Sequence, residues 1–275
     1  MAVKMILFDL DGTLLNSKKT ISEYTRQVLL RAAEKGIHIV PSTGRLFHAV
    51  PEEVRCLPGV RYAIAINGAL VLDTLEQKVL HDALLPVEHA LEICEYLETL
   101  PVIFDCFQNN TRYMSRSNDA LLERYITEPR ILKMVRETRE EVDDLKTYLQ
   151  KKGQPLQKLQ CYFLTQELRS ATWAELIRRF PQVTVTSSLG YNVEINGIDA
   201  NKGAAMVQLC KHLGISPEEV LACGDGSNDG TMIRRAGIGV AMGNAAQELK
   251  DCADYITDTN DRDGVAKAIE KFCQL

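Results

Sequence analysis

The chain opens on an almost unbroken apolar run, VKMILFDL at residues 3–10, that ends at two carboxylates, Asp9 and Asp11, followed by Gly12. A strand this apolar is buried on both faces, which makes it a central strand of a parallel sheet rather than an edge. Two negative charges at its end add nothing to a core and point instead to chemistry. The segments that follow keep one rhythm. Ser22 caps a predicted helix over 23–35, with Val28, Leu29, Ala32 and Ala33 on its apolar face and Gly36 at its end. HIVPSTGR reads as a second strand that breaks at Thr43-Gly44. YAIAINGA reads as a third, starting at 62 and breaking at Asn67-Gly68. Strand, helix, strand is the order of a parallel sheet with crossover helices.

After Leu84 the rhythm changes. The pattern predicts a helix over 87–99, then short strands FDCF and TRYMS around an Asn109-Asn110 turn. A helix near 118–126, the short apolar stretch ILKMV as a strand, and a charged helix from about 139 to 151 come next. Strand LQCYFL, a helix near 167–179 and the pair VTVTSS and YNVEI complete an α+β layer, with hairpins the first region lacks. The first rhythm then resumes: helix KGAAMVQLCKHLG ended by Gly214, strands EVLACGDG, GIGVAMG and ADYIT, and a last helix GVAKAIEKF. The expected fold is α/β: a Rossmann-like parallel-sheet core from residues 1–83 and 193–275, with an inserted α+β cap domain over 84–192.

Composition narrows the partners. The 275 residues suit one large domain or two modest ones. With 32 basic against 37 acidic side chains, a net charge of -5 and no Lys/Arg-dense stripe, a nucleic-acid polymer is disfavoured. A small phosphorylated molecule is not, since it needs only one local positive site. Eight cysteines form no CxxC pair and read as free core thiols in a reducing compartment. The opening apolar run is too short for a signal peptide and no run approaches a membrane span, so a cytoplasmic protein is expected.

Four stretches place polar residues just after a strand or at a helix start, where open α/β sheets hold ligands: DLDGT at 9–13, STGR at 42–45, Lys202, and GDGSND at 224–229. On one sheet, Asp9, Asp11, Asp225 and Asp229 would converge. Carboxylates that close need neutralising; a divalent cation with oxygen ligands does so, and Mg2+ suits carboxylates shared with phosphate. A structural calcium site is the other reading, and it leaves Lys202 unexplained. Metal, lysine and neutral donors around a carboxylate suit phosphoryl transfer. Asp9 is placed as nucleophile, Asp11 as the acid that protonates the leaving oxygen and the base that activates water, and Thr43 and Asn228 as donors to phosphoryl oxygens.

These motifs resemble those of the haloacid dehalogenase superfamily, and specifically its Cof-type hydrolases with a large inserted cap. DLDGT is similar to the first family motif, STGR to the second, Lys202 within NKGAAM to the third and GDGSND to the fourth. INGA at 66–69, AGIGVAMGNA at 236–245 and NDRDGVAKAIEKF at 260–272 extend the likeness along the core. The resemblance implies a nucleophilic Asp9, Asp11 as acid/base, and phosphate held by Thr43, Gly44, Asn228 and Lys202. It implies Mg2+ bound by Asp9, the Asp11 main-chain carbonyl, Asp225 and Asp229. It also implies sugar phosphates, nucleotides or cofactor phosphates as substrates.

Single residues carry less. Arg45 has two readings, a phosphate contact and a solvated loop residue. Asn67-Gly68 reads as a turn that shapes the pocket floor. From the cap, Arg112, Tyr113, Tyr191 and Glu194 are candidates for substrate contact, each with a packing alternative; for Glu194 the alternative is a hinge hydrogen bond. The expected function is a Mg2+-dependent phosphomonoester hydrolase acting on small metabolites. The alternatives are a phosphomutase with a related core and a catalytically silent metabolite-binding protein.

Overall fold

A computed structural model describes residues 2–275. The chain divides into two compact units, one made of Met1–Asp82 with Asn201–Leu275 and the other of Ala83–Ala200. The first segment lays down β1 (Met5–Phe8), β2 (His38–Pro41), β3 (Tyr62–Ala65), β4 (Leu70–Asp73) and β5 (Lys78–Asp82). The inserted unit contributes β6 (Ile103–Gln108), β7 (Thr111–Ser115), β8 (Arg139–Val142), β9 (Lys158–Tyr162), β10 (Val183–Thr186) and β11 (Asn192–Gly197). The closing segment adds β12 (Val220–Gly224), β13 (Ile238–Ala241) and β14 (Tyr255–Ile256).

The core sheet runs β14-β13-β12-β1-β2 and is parallel throughout. Its middle strand is the apolar run that opens the chain: Met5, Ile6, Leu7 and Phe8 have no exposed surface. Burying each such side chain contributes about 1.5–3 kcal/mol, so β1 is sheltered on both faces as its sequence requires. Register does the work for function. Phe8 lies opposite both Pro41 and Cys223, so the three strands end within a residue of one another and release Asp9, Ser42 and Asp225 along one carboxyl edge. Helix Glu23–Glu34 starts where Ser22 accepts the Thr25 amide, and helix Lys202–Leu213 starts where Asn201 accepts that of Ala204. Gly214 closes the second of these helices at φ +67, a conformation that suits glycine.

The core unit departs from the expected rhythm at its third strand. β3 touches the parallel sheet through Ser42 and Ile64 but otherwise pairs antiparallel with β4, which pairs with β5. The core thus holds a hairpin that the sequence pattern reserved for the insert. Asp73 makes its turn, accepting the Leu75 and Glu76 amides.

The inserted unit is a six-stranded sheet, β10-β11-β9-β6-β7-β8, antiparallel except for β7 with β8. One face carries Phe104, Cys106, Leu159, Cys161, Val193 and Ile195 against helices Val87–Glu98, Leu145–Lys152 and Gln166–Arg179. Two expectations fail here. ILKMV is not a strand but the middle of helix Pro129–Thr138, started by proline at its first position, with Ile131, Leu132 and Val135 on one face. The residues assigned to the start of the charged helix form β8 instead, and Asp144 caps the shorter helix Leu145–Lys152 by accepting the Thr147 amide. The return to the core also falls later than 192, because β11 is laced between β9 and β10 and stays with the insert through Ala200.

Candidate active site

The carboxyl edge of the core sheet gathers the acidic loops. Asp9 leaves β1 with its amide still bonded to the Cys223 carbonyl at 3.0 Å, which holds its side chain at the sheet rim. Lys202, the first residue of its helix and without exposed surface, donates from Nζ to Asp9 Oδ1 and to Asp229 Oδ1, each at 2.6 Å. The second oxygen of Asp229 accepts the amides of Asp225 and Gly226 at 2.9 Å, so the acidic loop folds around its own last carboxylate. Thr13 Oγ1 donates to Asp225 Oδ1 at 2.7 Å and ties the first loop to the fourth. Gly12 sits at φ +85, and a Cβ there would stand 2.3 Å from Asp225 Oδ2. Only glycine allows that approach.

Oxygens of Asp9, Asp225 and Asp229 all lie within 4.8 Å of one another. Three carboxylates face one lysine, and the electrostatics reflect the imbalance. Burial pushes Asp9 up to about 8, with Asp229 and Asp225 adding to the rise and Lys202 opposing it. Burial also pushes Asp225 up to about 6, against its bond from Thr13 and with help from Asp229. For Lys202 burial opposes the charge, but Asp229 and Asp9 outweigh it and hold the ammonium above the ordinary lysine range.

The donor set is all oxygen and anionic, with no imidazole or thiolate among the described residues, which fits a hard divalent cation. This predicts a pH-dependent metal effect. The folded, ion-free cluster holds protons that the unfolded chain has lost, so its stability falls as pH rises from about 4 towards 8. A cation competes for the same oxygens, and its affinity rises over that window. The thermal shift on adding Mg2+ should be larger at about pH 8 than at about pH 6. A shift that does not change with pH, or none at all, would count against this cluster as the metal site.

The expected convergence of four carboxylates is corrected to three. Asp11 turns to two cations instead. Arg45 grips it through Nε and Nη2, both at 2.7 Å, and Lys19 Nζ reaches Oδ1 at 2.7 Å. Against the penalty of burial, Arg45 and Lys19 hold Asp11 below the usual carboxylate range. Neither reading of Arg45 captured this bidentate pairing. Lys19 and Thr13 join the site as well; Thr13 lies within DLDGT, whereas nothing in the sequence near Lys19 distinguishes it from Lys18. Thr43 is buried, and its Oγ1 accepts the Arg45 amide at 3.2 Å; Asn228 donates from Nδ2 to Asn67 Oδ1 at 3.1 Å.

The candidates from the insert separate by strand alternation. Arg112 is buried, over the Phe107 ring and 3.7 Å from Asp105 Oδ2. Glu194 is buried too, accepting from Lys158 Nζ at 3.0 Å and Ser188 Oγ at 2.9 Å. These residues share one face of the sheet. Tyr113, one position after Arg112, stacks on Tyr148 at 4.6 Å on the helix-covered face and is a packing residue. Tyr191 packs beside Tyr162.

A model of the haloacid dehalogenase-like hydrolases matches residues 6–269. The chain belongs to this family. Its inserted unit places it with the Cof-type phosphatases of the haloacid dehalogenase superfamily, and it is an enzyme of that hydrolase type. A Bacillus subtilis relative, 5-amino-6-(5-phospho-D-ribitylamino)uracil phosphatase YcsE, is 31% identical over 278 residues, covering 98% of this chain and 96% of its own. Phosphatase YwpJ of the same organism is 31% identical over 281 residues, covering 96% and 98%. The crystal structure of a haloacid dehalogenase-like hydrolase from Bacteroides thetaiotaomicron is similar at TM-score 0.81 and 32% identity, covering 98% of this chain and 99% of that one.

Proposed function

We propose that this haloacid dehalogenase-like enzyme is a Mg2+-dependent phosphomonoester hydrolase of small phosphorylated metabolites. The observation that carries this reading is the Lys202 ammonium bridging Asp9 and Asp229 at 2.6 Å each inside a three-carboxylate cluster. A buried lysine among acids draws anionic charge, and Asp9 at its centre is the one carboxylate released directly from the central strand. Asp9, Asp225 and Asp229, with the Asp11 main-chain carbonyl, would hold Mg2+, which supplies neutralising charge to the carboxylates and the phosphoryl oxygens.

The Asp9 carboxylate attacks phosphorus, an acyl phosphate forms, and the P–O bond to the leaving group breaks. Asp11 gives its proton to the departing oxygen, then takes one from water as that water attacks the acyl phosphate. Inorganic phosphate leaves and Asp9 is restored. The Arg45 and Lys19 contacts favour the ionised Asp11, the form that activates water, and the acid step requires Asp11 to take up a proton against them before the leaving oxygen departs. Lys202, Thr43, Gly44 and Asn228 bind the phosphoryl group in this reading, and Arg45 acts on it through Asp11.

The substrate class is sugar phosphates, nucleotides or cofactor phosphates. The name of the YcsE relative, a phosphatase of a ribityl phosphate, supports a polyhydroxylated phosphate ester. Among the described residues no helix is long and apolar enough to cross a membrane. The reading takes neither a membrane nor a nucleic-acid polymer as partner and places the enzyme in the cytoplasm. The test is phosphate release from a panel of these esters, with Mg2+ and with EDTA. Release that stops in EDTA and returns with Mg2+ is expected. Equal release in EDTA would overturn the metal dependence, and well-folded, Mg2+-loaded protein inert on every ester would favour a binding-only role.

A further inference from the structure

Next to the acidic cluster lies a turn with an unusual backbone. Ile66, Asn67 and Gly68 are consecutive and all left-handed, at φ +53, +57 and +96. For isoleucine, branched at Cβ, this is a rare conformation that persists only where the surroundings impose it. Three of the site's segments do so. The Ile66 amide donates to the Arg45 carbonyl at 3.1 Å and the Asn67 amide to the Thr43 carbonyl at 3.0 Å. Gly68 lies so close under Asn201, the cap of the Lys202 helix, that a Cβ would stand 2.4 Å from the Asn201 carbonyl oxygen. The Asn67 side chain then reaches the fourth loop, its Oδ1 accepting from Asn228 Nδ2 at 3.1 Å.

We propose that Asn67 is a positioning residue that sets the carboxamide of Asn228. A carboxamide can lie either way round, and its neighbours choose. Asn228 Oδ1 stands close over Gly226, where a Cβ would meet it at 2.7 Å, and Asn67 Oδ1 takes one of the two Nδ2 hydrogens. Asn228 is thereby fixed with its second hydrogen as the remaining side-chain donor for a phosphoryl oxygen. The strained turn is what carries the Asn67 acceptor to that place. Strain of this kind collects at functional sites, where a group must be held at a geometry the chain would not choose. This assignment rests on the phosphatase reading for its catalytic consequence but not for the coupling of the two side chains.

Asn67→Gly isolates the side chain, because glycine tolerates the left-handed backbone and keeps the two main-chain bonds. Loss of a supporting contact of this kind lowers activity by about 10- to 100-fold. That fall in kcat/KM should appear in the wild-type background and shrink to less than about twofold in an Asn228→Ala background, as for two residues acting as a unit. The side-chain amide NMR signals of Asn228, assigned by their loss in Asn228→Ala, should move in Asn67→Gly. Unmoved signals, or an equal activity loss in both backgrounds, would overturn the proposal. If wild type releases no phosphate from any ester, the phosphatase reading fails, and the NMR result alone decides whether Asn67 sets Asn228.

Discussion

Asp9→Asn protein is expected to release no phosphate above background, a loss on the order of 10⁴-fold or more, while remaining folded. The amide has the size of the carboxylate but lacks the anionic oxygen that bonds to phosphorus. Its effect on stability has the opposite sign. Asp9 is buried among Asp225 and Asp229 and carries a raised pKa, so ionising it in the ion-free protein costs free energy. A neutral amide removes that cost, and the ion-free variant should melt no lower than wild type at about pH 8. Mg2+ should stabilise it less, because one anionic ligand is gone. Phosphate release and thermal melting on the same preparation separate these effects. Release that persists in Asp9→Asn, after a contaminating phosphatase has been excluded, would show that another group attacks phosphorus.

Lys202→Met should be damaging in both respects. The ammonium is without exposed surface and is the one side-chain cation bonded to Asp9 and Asp229 among the described residues. Methionine fills similar space but leaves the carboxylates facing one another. Breaking a buried ion pair by removing one partner costs about 3–5 kcal/mol. At roughly 2–4 °C per kcal/mol, melting should fall by roughly 6–20 °C. The sign of the pH dependence follows from the same charges. Without Lys202 the carboxyls of Asp9 and Asp225 lose the charge that opposes their rise, so the folded state keeps those protons to higher pH. Destabilisation should be smaller at about pH 5, where Asp9 and Asp225 are protonated, and greatest near pH 8. Activity should be lost at every pH, since the positive charge that holds Asp9, and that would hold phosphate in the proposed reaction, is absent. A variant that melts within about 2 °C of wild type near pH 8 would mean that Lys202 does not neutralise the cluster.

The gathering of the strand ends into one centre was legible because each step is local. An apolar run marks a buried strand, the polar residues after it mark a carboxyl edge, and Ser22 and Gly214 mark helix ends within a turn of themselves. Local signals conflicted in two places. ILKMV has strand-like residues, yet Pro129 and the spacing of Ile131 and Val135 commit it to a helix. LVLD and KVLHD carried a hairpin that the parallel rhythm on either side obscured.

Which residue types end the buried strands, and so the kind of chemistry this protein can support, is written in the order of its amino acids. How those residues pair came from long-range packing. It paired Asp11 with Arg45 and Lys19, tied Thr13 to Asp225, and set Asn67 against Asn228. The physical reason is range. Backbone propensities and caps act over a few residues, whereas Lys202 and Asp9 are 193 residues apart and meet only because strand register brings their loops to the same edge. Carboxylates in that confined space must each find a cation, a donor or a proton, and the packed structure settles which one takes which.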